Sequence, residues 1–242
     1  MFVFTLAGHE TSANTLTHAL TLLALHPSFQ TRLQNELDSI FGTRETSTWS
    51  YIDDLPKLLN GRVGALLDET LRLYAALSFF PKVALTDQMV TLADRAVTIE
   101  NKQYLIPKNT MIVINTAAAH RNPKYWPPTS AQSKILPGDV FPYPVSQFAP
   151  ERWLKDSEDR FDPPHGAYVP FSDGFRSCIG TRFAKVEFCA AVARILKEYS
   201  VELEGGVGKE EEAARRMSEG VWLEMALKVK EAVPLRFVRR RR

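Results

Sequence analysis

One cysteine in a glycine-flanked turn limits what this chain can be more than any other feature. The run from Phe171 to Gly180 reads FSDGFRSCIG, and Cys178 lies between Gly174 and Gly180, just before a segment with helical periodicity. Glycine allows tight turns, so the sulfur can project from the loop. Backbone N–H groups at a helix start, together with Arg176, stabilise a thiolate that could be a nucleophile, a metal ligand or a redox thiol. An isolated cysteine is more often a buried structural residue.

The composition is typical of a globular protein in a reducing compartment. Of 242 residues, 45% are hydrophobic and 24% are charged, which suits a sizeable core. Two cysteines, Cys178 and Cys189, are too few for a disulfide framework in so long a chain. The formal net charge of +2 does not indicate a nucleic-acid partner, and the basic run Arg239 to Arg242 is more typical of a solvated tail.

The first residues do not form a targeting segment. The start MFVFTLAG is apolar but short, and it lacks a basic leader. It runs directly into His9 and Glu10, which excludes a signal peptide or a membrane-spanning helix. We therefore expect no membrane anchor in this chain.

The order of apolar residues predicts a mainly α fold with small β-sheets. Four helical segments are expected before residue 76: Phe2 to about Leu25, Ser28 to Phe41, a short stretch opened by Asp53, Asp54 and Pro56, and Val63 to Tyr74. Short β-rich runs follow between Phe79 and Asn115, including Val97 to Ile99 and Met111 to Ile114. Most of the fifteen prolines fall in residues 121–171, which predicts a long ordered loop. Helical periodicity resumes after Gly180, before a β-like end at Val221 to Val238.

The cysteine segment meets a ten-residue pattern in full. The pattern F-x-x-G-x-R-x-C-x-G is matched by Phe171, Gly174, Arg176, Cys178 and Gly180. It resembles the haem-binding loop of cytochromes P450. The resemblance implies that Cys178 is the axial ligand of haem b (iron protoporphyrin IX), that the glycines let backbone amides approach the sulfur, that Arg176 meets a haem propionate and that Phe171 packs beside the loop. Cys189 is interpreted as a core residue.

The first helix carries Ala7-Gly8-His9-Glu10-Thr11-Ser12, which is similar to the oxygen-binding motif of the same family. A threonine hydroxyl can bond the carbonyl one turn back, and we expect a local distortion where Gly8 leaves room for a small ligand. Thr11 and Glu10 are then the expected catalytic residues, relaying protons during oxygen activation. The alternative of a zinc protease requires H-E-x-x-H, which Ala13 excludes.

Two further segments follow the family's order. Glu69 and Arg72 stand three residues apart on one helix, within ion-pair reach. With the segment Phe148 to Trp153 (FAPERW) they look like the family's E-x-x-R helix and P-E-R-W segment. The resemblance implies a buried structural network of Glu69, Arg72 and Arg152. Because desolvation offsets much of the Coulomb gain of such a network, its expected role is to fix the position of the ligand loop rather than to add stability.

The sequence departs from the family pattern in three respects. Ala75 and Ala76 stand where members usually show paired prolines, and Lys82, after the single Pro81, is the candidate for a second propionate contact. Residues 127–147 are expected to form a proline-rich surface insertion. The resemblance covers essentially all of residues 1–242 but only the C-terminal half of the family fold, so we expect a partial domain without the N-terminal half.

The resemblance implies a haem-thiolate monooxygenase that inserts one oxygen atom of O₂ into a small organic or lipophilic substrate. Its partner would be an NADPH-dependent flavoprotein reductase, without nucleic acid, at the cytosolic face of the endoplasmic reticulum membrane. A haem-thiolate isomerase or dehydratase is a rival that needs no external electrons, and the proton relay of Glu10 and Thr11 argues against it. A non-catalytic haem-binding fragment is the other rival, and the chain alone is expected to be inactive.

Overall fold

The computed structural model of the chain describes residues 2–89, 91–92, 95–96, 104–126, 147–157, 160–206, 208–218, 221–223 and 227–241. The protein is mainly helical with small two-stranded antiparallel sheets, which confirms the predicted class. The predicted strand Val97 to Ile99 lies outside the described residues. The predicted insertion at residues 127–147 does too, except for Gln147.

Seven helices lie within the described residues: α1 (Phe2–Leu25), α2 (Pro27–Phe41), α3 (Leu55–Asn60), α4 (Arg62–Leu73), α5 (Thr116–Ala119), α6 (Thr181–Glu198) and α7 (Glu210–Ser218). Three single 3₁₀ turns accompany them at Thr46–Thr48, Pro150–Trp153 and Gly174–Arg176. Among the described helices, none combines the length and the apolar character needed to cross a bilayer.

A proline and a glycine determine where α1 ends and where α2 begins and ends. Pro27 lacks an N–H group and occupies the first turn of α2, so α1 stops at Leu25 and α2 begins one residue before the predicted Ser28. Gly42 ends α2 at a φ of 52°, and its N–H donates to Asp38 O over 2.8 Å. The predicted helix ends therefore hold to within one or two residues.

The core lies between α1, α2, α4 and α6. These helices contribute side chains that are almost fully shielded from solvent, among them Leu23, Leu33, Leu37, Leu66, Val192 and Leu196. Burying one large aliphatic side chain stabilises the fold by about 1.5–3 kcal/mol. Cys189 of α6 belongs to the same core with no exposed surface, as predicted, and burial raises the pKa of its thiol to about 12.

The described residues form five two-stranded antiparallel sheets, two of them with strands of five residues. Strand β1 (Phe79–Val83) pairs with β6 (Met111–Asn115), and β7 (Tyr199–Leu203) pairs with β10 (Leu235–Arg239). Shorter pairs are β2 (Gln88–Met89) with β5 (Leu105–Ile106), β3 (Thr91–Leu92) with β4 (Arg95–Ala96), and β8 (Val221–Leu223) with β9 (Leu227–Val229). Strand β7 and helix α7 were not predicted from the sequence.

The β1–β6 sheet has one half-buried face and one exposed face. Phe79 and Val83 alternate with half-buried residues on β1, and Met111 and Val113 do the same on β6. In the register, Val83 stands opposite Met111 and Pro81 opposite Val113, so the exposed residues share one face. Lys82 lies on the other face.

Candidate functional site

Hydrogen bonds among its own residues hold the cysteine loop in its conformation. The Cys178 N–H donates to Phe171 O over 2.8 Å, and the Thr181 hydroxyl donates to Cys178 O over 2.8 Å at the start of α6. Gly174 adopts a φ of 76°, which favours glycine, and its N–H donates to the Asp173 side chain over 2.7 Å. The loop therefore presents Cys178, which is exposed, directly before the helix as the sequence predicts.

Large apolar side chains stand exposed on both sides of Cys178. Phe175 is fully exposed to solvent, Ile179 is 85% exposed and Phe183 is 66% exposed. A cluster of this kind around a polar group marks a surface that a partner or a large ligand covers. The exposed thiol therefore lies on an apolar surface that suits an extended, largely apolar group.

Two cations lie at the same loop. The Lys82 ammonium of β1 donates to Asp173 O over 3.3 Å, and Arg176 is exposed within the loop itself. The β1 strand is therefore held against the cysteine loop, although the two segments are far apart in the sequence. A ligand that carries carboxylates next to an apolar body would meet complementary charge here.

The oxygen-motif residues lie on α1. The Thr11 hydroxyl donates to Ala7 O over 2.8 Å, one turn back, as expected. The helix α1 runs from Phe2 to Leu25 without a break at this motif. A side chain added at Gly8 would meet no atom within 4 Å, so the helix surface is open there. Among the described residues, no hydrogen bond or ion pair joins Thr11 or Glu10 to the cysteine loop.

The three predicted network residues come together in the interior. Arg72 donates to both carboxylate oxygens of Glu69, each over 2.8 Å, and Arg152 Nε lies 3.3 Å from Glu69 Oε2. All three side chains have no exposed surface. Glu69 also accepts from Ala149 N over 2.8 Å and from Trp153 Nε1 over 2.9 Å, so α4 is bound to the 3₁₀ turn at Pro150–Trp153.

The negative charge of Glu69 depends on its two arginine partners. Burial alone would raise the pKa of the Glu69 carboxyl, but the charges and hydrogen bonds of Arg72 and the charge of Arg152 outweigh burial and lower the pKa. Trp126, fully buried, covers the pair, with the guanidinium carbons of Arg72 and Arg152 5.2 Å and 5.7 Å from its ring centroid. Glu69, Arg72, Arg152 and Trp126 therefore form a buried charged cluster that connects segments distant in the sequence.

Comparison with known proteins decides the family. The model of the cytochrome P450 family matches residues 1–130 and 137–224, which is most of the chain. The chain belongs to the cytochrome P450 family. Cytochrome P450 3A13 of Mus musculus is 32% identical over 200 residues, covering 83% of this chain and 33% of the relative.

Other cytochromes P450 match to the same extent. Cytochrome P450 3A9 of Rattus norvegicus is 32% identical over 198 residues, covering 82% of this chain and 33% of the relative. Cytochrome P450 monooxygenase polC of Polytolypa hystricis is 30% identical over 205 residues, covering 82% of this chain and 32% of its own length. The chain spans about a third of the length of the curated relatives it matches.

Membership of the cytochrome P450 family implies a haem cofactor, and the loop fits one. A haem is an apolar macrocycle with two carboxylates, and its iron takes one ligand from the protein in P450s. The residues present offer a thiol at Cys178, exposed apolar side chains beside it, and cations at Arg176 and Lys82. The donor set and the surface therefore suit the group.

One further residue of the site was missed by sequence reasoning. His120, fully buried after α5, accepts the N–H of Val169 at its Nε2 over 2.8 Å and lies with Nδ1 3.2 Å from Leu71 O. A single histidine after a short helix gives no pattern from which these partners could be predicted, because they are about fifty residues away in both directions.

Proposed function

We propose that this chain forms the cysteine-ligand side of a haem-thiolate monooxygenase that inserts one oxygen atom of O₂ into a small organic or lipophilic substrate. The observation that carries the proposal is the exposed Cys178 in its closed loop, surrounded by exposed apolar side chains. A cysteine placed only for packing would be shielded, as Cys189 is. Residues 1–242 belong, in this proposal, to one partial cytochrome P450 domain.

Each loop residue has a task toward haem b in this proposal. Cys178 supplies the thiolate ligand, Gly174 allows the tight turn before it, Gly180 lets backbone amides approach the sulfur, and Phe171 packs at the base of the loop. Arg176 and Lys82 hold the propionates by charge-assisted hydrogen bonds. When bound, the haem supplies reductive activation of O₂, and an anionic sulfur ligand favours cleavage of the O–O bond.

In this proposal Thr11 and Glu10 deliver protons during oxygen activation. The Thr11 hydroxyl is oriented by its bond to Ala7 O, which leaves the lone pairs of Oγ1 free to accept a hydrogen bond from a water that could in turn be replenished with protons by Glu10. The open surface at Gly8 leaves room for a small molecule beside that hydroxyl. Both residues therefore hold and pass protons rather than bind the organic substrate.

The electrons come from an NADPH-dependent flavoprotein reductase in this proposal, and the protein acts at the cytosolic face of the endoplasmic reticulum membrane. Support for the reductase is the family's need for external electrons together with Arg176, Arg182 and Lys185 at or just after the loop. Complementary charge steers such an encounter.

Replacing Cys178 with alanine is expected to abolish thiolate ligation. The haem-loaded chain, reduced and exposed to carbon monoxide, should show the red-shifted Soret band of a thiolate complex, because sulfur is the proposed ligand. Cys178→Ala should lose this band completely, and Cys189→Ala, in the core, should keep it. A band that persists in Cys178→Ala would show that the ligand assignment is wrong.

Replacing Thr11 with alanine is expected to divert electrons from product to peroxide and water. Removing the hydroxyl should lower product formed per electron consumed by at least about tenfold, because positioned proton transfer contributes about 10²–10⁴-fold to rate. Haem and substrate binding should not change. The measurement, made on a full-length protein that contains this chain, is the ratio of product to NADPH consumed with reductase present.

Thr17 supplies the matched control for Thr11. Its hydroxyl makes the same bond one turn back, to Ala13 O over 2.9 Å, on the same helix. Thr17→Ala should therefore leave the ratio at the parent value, and Thr11→Ser should restore most of it. An equal loss in Thr11→Ala and Thr17→Ala would assign the effect to helix stability instead of proton delivery.

A further inference from the structure

His120 connects the buried charged cluster on α4 to the segment that leads into the cysteine loop. Its ring lies between Leu71 O, at 3.2 Å from Nδ1, and Val169 N, at 2.8 Å from Nε2. Its backbone carbonyl accepts from Arg72 Nη1 over 3.3 Å. The side chain has no exposed surface, so water does not replace these partners.

The two partners fix which nitrogen carries the proton. A backbone carbonyl can only accept a hydrogen bond, so Nδ1 must donate to Leu71 O. A backbone N–H can only donate, so Nε2 must present its lone pair to Val169. Only the neutral imidazole with the proton on Nδ1 satisfies both, because a doubly protonated ring would turn two donors toward each other at Val169.

Val169 is connected to Cys178 by a short series of contacts. Its neighbour Tyr168 stacks obliquely on the His120 ring, with centroids 5.0 Å apart, and donates its hydroxyl to Asp68 Oδ1 of α4 over 3.0 Å. Two residues further on, Phe171 O accepts the Cys178 N–H over 2.8 Å. The base of the loop is thus attached to α4 directly through Tyr168 and, through the His120 ring, by way of Val169.

We propose that His120 is a positioning residue for the thiolate ligand: its acceptor nitrogen holds Val169 and, through the loop backbone, sets the place of Cys178. The proposal rests on the proposed role of Cys178 as haem ligand and extends it to a residue that touches neither sulfur nor cofactor. The acceptor bond to Val169 carries this role, and the donor bond to Leu71 fixes the ring.

The electrostatic surroundings keep the ring in the required form. Burial lowers the pKa of His120 to about 4, with smaller lowering from the nearby charges of Arg72 and Arg121, while backbone hydrogen bonding opposes the shift. The ring is therefore neutral at ordinary pH, which keeps the Nε2 lone pair available.

Two amide substitutions separate the two hydrogen bonds. In His120→Asn the side-chain NH₂ takes the place of Nδ1 and keeps the donor to Leu71, but the acceptor for Val169 is lost. In His120→Gln the longer side chain brings its carbonyl to the place of Nε2 and keeps that acceptor. The two variants share the loss of ring packing and lose opposite hydrogen bonds: His120→Asn loses the bond from Val169, and His120→Gln loses the bond to Leu71.

The test is amide hydrogen exchange of the full chain without haem, followed by the carbon monoxide spectrum after haem addition. In His120→Asn the Val169 and Cys178 amides should exchange about tenfold faster than in the parent, because a buried donor loses its partner. A smaller fraction of added haem should then show the thiolate band. In His120→Gln, which keeps the acceptor for Val169, both measurements should lie clearly closer to the parent values than in His120→Asn.

The outcomes separate this proposal from the proposed function. Equal exchange of Val169 in the two variants would overturn it, as would fast exchange at Val169 with Cys178 unchanged. A urea unfolding curve of each variant shows whether a change is local or global, and a global change of equal size in both variants also counts against it. Absence of a thiolate band in the parent would overturn the haem assignment, while the exchange data would still decide the role of His120.

Discussion

Replacing Glu69 with glutamine is expected to lower the free energy of unfolding by about 3–5 kcal/mol, because the change leaves two buried guanidinium groups without their counter-charge. Arg72 and Arg152 have no exposed surface, and both are paired with the same carboxylate. Glutamine keeps the size of the side chain, so the loss reports charge and hydrogen bonding rather than a cavity. Natural domains have only about 5–15 kcal/mol of stability, so the variant should unfold at a much lower urea concentration.

A surface pair of the same chemistry gives the control. Glu202 on β7 accepts from Arg236 on β10 over 2.6 Å, with the two side chains 46% and 63% exposed. Glu202→Gln should cost less than about 1 kcal/mol, because water screens the pair and solvates the arginine left behind. Equal shifts of the urea midpoint in the two variants would contradict the assigned role of burial.

The buried charged cluster holds several segments of the chain against α4. Glu69 holds the turn at Pro150–Trp153, Arg72 donates to Gln147 O over 2.9 Å, and His120 connects the same helix to Val169. A buried ion pair adds little net stability over well-packed apolar residues, yet removing one member is costly. The arrangement therefore defines one position for the segments that precede the cysteine loop.

Local pattern was sufficient for the helices that form the core. In α2 the apolar residues Phe29, Leu33 and Leu37 recur at helical spacing, and Pro27 and Gly42 mark the ends. The cysteine loop was equally predictable, because its glycines and its following helix are adjacent in the sequence. These features depend on neighbours within one or two turns.

Features that depend on distant partners were missed. Strand β7 follows α6 directly without glycine or proline, and its extended form depends on pairing with β10, more than thirty residues later. Helix α7 is mostly charged and has only a narrow buried stripe of Ala213, Ala214 and Met217. The motif order placed Glu69, Arg72 and Arg152 together, but it held no information on His120, whose role depends wholly on tertiary contacts.

Acidification from pH 6.5 to pH 4 is expected to destabilise the fold by several kcal/mol. Burial lowers the pKa of His18, His26 and His120 from 6.5 to about 4. In that interval the unfolded chain binds protons that the folded chain does not, so the free energy of unfolding falls as the pH falls. Each histidine contributes about 3 kcal/mol to the loss, since one pKa unit corresponds to about 1.36 kcal/mol.

His18 offers the cleanest test of this mechanism. Its ring is 2% exposed and stacks on Tyr74 with centroids 4.7 Å apart, and its Nε2 has no hydrogen-bond partner among the described residues. His18→Phe keeps an aromatic ring on Tyr74 and removes the titrating group. Urea unfolding at several pH values should then show a shallower fall between pH 6.5 and pH 4 than in the parent, on top of a pH-independent offset from the lost bond of Nδ1 to Asn14 O. A parent curve that is flat over this interval, or a slope unaffected by His18→Phe, would show that the buried histidines do not set the acid limit of this fold.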